Sequence, residues 1–239
     1  MLLPSSSAEP ARWLIEEVRG PRGRVSHLLP ARFEAYVAVF HPAWQWTLSG
    51  TKRHDERPVS WATVAAANQR RYSAQMQWPG VTGSFRYLDQ ESQPETWKAP
   101  PERGTMPAEV SAELMALLSS TEASSEQWWF GVWQGYREVA PPFVSGSGFR
   151  LPDRDYWLMH GEPHDSLEPV FGPPDRQLAN LWWPPSQDWL VVTDIDLDRT
   201  YIAGSCSLAD ELLSHPLLES LPVSLEDPLA WNSDPYNCL

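Results

Sequence analysis

The chain has 239 residues, 42% of them apolar and 21% charged, and carries a formal charge of −13. That composition supplies a core and excludes wholesale disorder and a coiled coil, and no apolar run approaches the roughly 18 residues of a membrane span. Two cysteines, Cys206 and Cys238, exclude a disulfide framework, and neither stands in a zinc-binding spacing.

The start, Met1 to Ser7, lacks the basic region and apolar stretch of a signal peptide, so a cytoplasmic location is expected. Residues 1–12 read as a flexible N-terminus, 13–225 as a single domain and 226–239 as a C-terminal tail. Trp13–Val18 is a short element of either type, closed by Gly20-Pro21-Arg22-Gly23. Pro30 suits a first helical turn, and Phe33, Tyr36, Val37 and Phe40 then follow helical spacing, which predicts an amphipathic helix over 30–40. Ser60 caps a second helix with Trp61, Val64, Ala65 and Asn68 along one side. Residues 89–107, punctuated by five prolines and glycines among polar residues, read as an irregular, mobile loop. Val110, Leu114, Leu117 and Leu118 mark a helix over 107–119. Trp128–Trp133 reads as a largely buried strand. Pro141-Pro142 and a turn at Ser145–Gly148 lead to short strands near 149–151 and 156–160.

The C-terminal third has the strongest pattern. The run from Trp189 to Leu197 predicts a central strand, Asp198-Arg199 a hairpin turn, and Thr200–Ala203 the returning strand. Gly204-Ser205 opens a helix in which Ser207 and Asp210 have capping-box spacing, Leu208, Leu212 and Leu213 face inward, and Pro216 ends the segment. The expected fold class is α+β, one domain with a mostly antiparallel sheet packed by three to four short helices.

Charge is unevenly placed. Residues 1–120 hold 13 basic and 12 acidic side chains, whereas residues 121–239 hold 5 and 19, a net −14. Such a field repels nucleic-acid phosphates and anionic lipid and favours a protein partner with a basic surface. Neither a nucleic-acid nor a membrane partner is expected.

Three blocks resemble a group of uncharacterised actinobacterial proteins. They are Arg24–Pro30 with Phe33–Tyr36 and Phe40-His41-Pro42, then Gly104–Pro107 with Trp129–Tyr136, and finally Trp182-Trp183-Pro184 through Asp196–Asp198 and Thr200–Ser205. The resemblance implies one domain in a bacterial cytosol and no particular activity. The Leu29-Pro30-x-x-Phe33 start with later strands and a terminal helix is also similar to Smi1/Knr4-like immunity proteins, which implies a non-catalytic, partner-binding role.

Among residue groups with chemical potential, Asp194, Asp196 and Asp198 alternate. On an extended strand they share one face with carboxylates about 7 Å apart, a row suited to a hard cation. His160-Gly161-Glu162-Pro163-His164-Asp165 gathers ligand and acid-base side chains. Asp194, Asp196, His160 and His164 are therefore the candidate metal ligands, although Gly161 and Pro163 forbid the helix that would align the two histidines. Nucleophile-elbow, dinucleotide and phosphate-loop motifs are missing, so no cofactor is expected. Cys206 beside a helix start reads as a small buried hydrophobe more readily than as an activated thiol. Trp44/Trp46, Trp128/Trp129 and Trp182/Trp183 offer aromatic platforms. On a strand, adjacent rings face opposite sides, so each pair either meets two layers or leaves a ring exposed. The expected binding residues are Trp128, Trp129, Trp182, Trp183, Asp194, Asp196 and Asp198. The expected function is a non-enzymatic protein-binding module, of which an immunity or antitoxin factor is one kind. The alternatives are a metal-assisted hydrolase or transferase using the Asp row, and a sugar-binding protein using the tryptophans.

Overall fold

The computed structural model of the protein describes residues 1–49, 52–83, 92–121, 127–136, 146–170 and 176–237, with side chains of 48–55 left aside. Cys238, the Pro141-Pro142 pair and residues 89–91 of the predicted loop lie outside the described residues.

The fold is α+β with a mostly antiparallel sheet, as the sequence predicts. In chain order the strands are β1 (Leu3–Pro4), β2 (Ala35–Phe40), β3 (Ala43–Ser49), β4 (Lys52–Val59), β5 (Trp128–Trp133), β6 (Gly148–Leu151), β7 (Arg154–Gly161), β8 (Leu181–Trp183), β9 (Leu190–Val192), β10 (Arg199–Gly204) and β11 (Ser220–Pro222). The helices are α1 (Arg12–Glu17), α2 (Trp61–Ala67), α3 (Trp78–Thr82), α4 (Ala108–Ser119) and α5 (Cys206–Ser214). One nine-stranded sheet runs β1-β7-β5-β8-β9-β10-β2-β11 with β6 on β7, and β3 and β4 form a separate hairpin. No described helix is long and apolar enough to cross a membrane.

The sheet is covered on both faces, and its residues sort by parity. Ala38, Phe40, Leu181, Trp183, Leu190, Val192, Tyr201 and Ala203 face a layer that includes Trp13, Trp61, Trp78 and Trp97. Val37, Val39, Trp128, Phe130, Trp182, Val191 and Ile202 face the opposite layer, built on Val110, Leu114 and Leu118 of α4 and Leu208 and Leu212 of α5. The adjacent tryptophans of β5 and β8 therefore each enter a different layer. Trp61, Trp78 and Trp97 form an edge-to-face chain with centroids 5.0 and 5.1 Å apart. On the far side Trp128 lies 4.8 Å from Trp189 and 6.5 Å from Trp182. Gly131 keeps β5 and β8 in register, because a Cβ there would stand 2.8 Å from a Leu181 methyl.

Three expectations about β2 and α5 need correction. Residues 35–40 form a strand, not part of a helix: β2 pairs with β10 along its whole length and with β11 on its other side. Both faces of β2 are apolar, so no alternation betrayed it, and ladder pairing outweighs the helical spacing of Phe33, Tyr36, Val37 and Phe40. The cap of α5 is Ser205, whose hydroxyl accepts from Leu208 N, so Ser207 lies within the first turn. Leu213 is exposed, while Leu208 and Leu212 pack inward. The Ser60 cap of α2 stands as predicted, with its hydroxyl accepting from Thr63 N.

Both ends of the described chain are tied to the fold. Residues 1–12 include β1, which pairs with β7, and Leu2 and Ala11 are buried. In the C-terminal segment, Asp234 accepts from Gln77 N and Asn237 exchanges hydrogen bonds with the backbone of Arg71. Within 92–107, Trp97 and Met106 are fully buried, so this irregular stretch is anchored in the core.

Candidate functional site

Chain reversal between β9 and β10 places Asp194, Asp196 and Asp198 in the turn at the sheet's rim. β9 ends at Val192, and the Asp194 carboxylate then accepts from Asp196 N at 3.0 Å while Asp194 O accepts from Leu197 N at 3.0 Å. A side chain that binds the backbone two residues on ends a strand and starts a turn. The three aspartates therefore do not line one strand face. Instead, Arg154 Nη2 reaches Asp194 Oδ1 at 3.3 Å and Asp196 Oδ2 at 2.7 Å, and Asp198 pairs with Arg199 Nε at 3.2 Å. Burial works against the Arg154 cation, and the two carboxylates outweigh it, leaving its pKa above the ordinary arginine value. Gly104, at φ +79°, lies against the turn; a Cβ there would meet Ile195 O at 2.8 Å.

Beneath the turn a buried polar chain links three elements. His41 Nδ1 faces Glu102 O at 2.8 Å and therefore donates to it. The Thr200 hydroxyl then donates to Nε2 at 3.0 Å, and the Thr193 hydroxyl donates to Thr200 at 2.8 Å. Burial holds the His41 pKa down at about 4, so the ring is neutral at physiological pH. Asn180 extends the polar layer, donating to Thr193 O and accepting from Trp133 N.

Two recesses flank the turn. The first, of about 190 Å³, has Leu151, Tyr156, Leu181 and Val192 among its lining residues and the charged groups Arg22, His27, Asp153, Arg154, Asp194 and Asp196 around them. His27 Nε2 lies 2.8 Å from Asp153, which also pairs with Arg22 at 3.1 Å. The hydrogen bond from His27, reinforced by Arg22, holds the Asp153 carboxyl below the usual range. The second recess, of about 300 Å³, shares Asp196, Leu197, Leu229 and Ala230 with the first and adds Asp198, Arg103 and Trp231.

The other predicted residues lie elsewhere. Trp128, Trp182 and Trp183 are fully buried and present no ring to solvent, whereas Trp129 is half-buried and edge-on to His160 at 5.6 Å. His164 sits on a short 3-10 turn beside Glu162 and Asp165. Neither histidine lines either recess. Among the described residues no group of three or more His, Cys, Asp or Glu is placed to hold a metal ion. Cys206 is exposed, not a buried hydrophobe.

Sequence reasoning missed Arg154, Tyr156, His27, His41 and Trp231. Arg154 lies forty positions before Asp194, and only the sheet order brings the two together. Comparison with family models, with curated proteins and with solved structures yields no match to this chain.

Proposed function

We propose that the protein is a non-enzymatic binding module that engages a protein partner with a basic surface at the β9–β10 turn. An immunity or antitoxin factor directed at a basic effector is a module of this kind. The observation that carries the reading is that an exposed carboxylate and an exposed indole line one recess: the Asp196 side chain, though paired with Arg154, is 74% exposed, and Trp231 is 44% exposed. Tryptophan is one of the residue types enriched at interface hot spots. The net −14 of residues 121–239 steers a cationic partner toward this half of the chain. The rival readings find less support. Asp194 and Asp196 are engaged by Arg154 and the turn backbone, and sugar stacking needs an open ring that Trp128, Trp182 and Trp183 do not offer.

The test compares immobilised wild type with an Asp196→Lys/Trp231→Ala variant in affinity capture from the native host, followed by surface plasmon resonance on the captured protein. A basic protein should be retained by the wild type alone, and its association should slow between low and physiological ionic strength. Trp231→Ala alone should cost about 2 kcal/mol of affinity, mostly through faster dissociation. Equal capture by both proteins, or a salt-independent association rate, would place the functional surface elsewhere.

A further inference from the structure

The recess of about 190 Å³ beside Arg154 reaches the core. Leu151, Tyr156, Leu181 and Val192, one from each of β6, β7, β8 and β9, are all buried residues of the sheet's first layer and all line it. Its volume exceeds the roughly 150 Å³ of an apolar cavity that holds one benzene ring.

The charges around this space are already matched. Asp153 is paired with both His27 and Arg22, and Arg154 with both Asp194 and Asp196. A charged ligand would have to break one of these pairs, so the apolar lining favours an uncharged one. One polar group remains. Tyr156 is 5% exposed, and its hydroxyl makes no hydrogen bond to any described residue. Burial, helped by the negative Asp194 nearby, holds this phenol well above the ordinary tyrosine pKa, so the hydroxyl keeps its proton and acts as a donor. The hydroxyl is not sealed from the recess, so a ligand oxygen entering there can accept its proton in place of solvent.

We propose that this recess binds a small uncharged molecule, a single-ring aromatic carrying one hydrogen-bond-accepting oxygen, with the ring against Leu181 and Val192 and the oxygen on the Tyr156 hydroxyl. The test uses the isolated chain, so it stands apart from the protein-binding reading even though the two recesses share Asp196, Leu197, Leu229 and Ala230.

The test is a methyl nuclear magnetic resonance titration of the full chain with acetophenone, ethylbenzene and benzoate as probes. Acetophenone should shift the Leu181 and Val192 methyl signals. Ethylbenzene, equal in size without the acceptor, should bind about two- to tenfold more weakly, the span of one neutral hydrogen bond. Tyr156→Phe should abolish that difference by weakening acetophenone alone, and Ala230→Trp, at the exposed rim, should block all binding. The proposal is overturned if millimolar acetophenone leaves both methyls unmoved or if Tyr156→Phe leaves the acetophenone preference intact. It is also overturned if benzoate binds most tightly, since the rim arginines would then be the recognition element.

Discussion

His41 is fully buried, donating to Glu102 O and accepting from Thr200, and acceptance at Nε2 is open to the neutral ring only. Its pKa is about 4 in the fold against 6.5 in the unfolded chain. Between those values the unfolded state takes up a proton that the folded state refuses, so stability is full above pH 6.5 and falls as the pH drops toward 4. The gap corresponds to about 3 kcal/mol at its lower end. In urea unfolding from pH 7.5 to 4.5, His41→Gln should be the less stable protein at neutral pH, and its deficit should shrink as the solution is acidified. A deficit constant with pH would show that His41 titrates alike in both states. Glu219 is partly buried, and burial acts on its acid group in the opposite direction. Its carboxylate accepts from Trp61 N and Ala62 N at the start of α2, yet burial still raises its pKa above the usual carboxylate value.

At the scale of elements, α5 tests how local chemistry sets a boundary. Ser205 supplies the hydroxyl that accepts from Leu208 N, and Ser207 is exposed without that role. Ser205→Ala should therefore lower stability by about 1 kcal/mol, and Ser207→Ala by less than about 0.5 kcal/mol, in the same denaturation assay. Equal effects would return the cap to the capping-box position. The elements readable from sequence were those with one dominant signal, such as the Ser60 cap of α2, the apolar stripe of α4 and the β-rich run of β5. β2 was not readable, because a strand buried on both faces loses its alternation and Phe33, Tyr36, Val37 and Phe40 happen to keep helical spacing. The aspartate row failed for a related reason. Alternation of 194, 196 and 198 signals a strand only while the backbone stays extended, and the Asp194 side chain itself ends that extension. The acidic turn was thus identifiable as a polar end, whereas its guanidinium, its phenol and its histidine came from β7 and from residues 22–28, which only the tertiary fold delivers.

For the whole molecule, the defining arrangement is one sheet shared by two layers. Neither layer can leave without exposing the other face of the same strands, so unfolding should be a single cooperative step. The tryptophan chains on either side give this an optical reading. Trp61, Trp78 and Trp97 form one chromophore group and Trp128, Trp182 and Trp189 another, each with rings close enough for excited states to couple. The native protein should show strong near-ultraviolet circular dichroism and depolarised emission, since excitation hops among neighbouring indoles before a photon leaves. Thermal midpoints from those two signals should coincide with the midpoint from the amide bands, and separate midpoints would show the layers melting apart. Each face of the sheet thus carries its own built-in spectroscopic reporter, which allows Trp97→Phe to silence part of one while the other continues to report, without any attached dye.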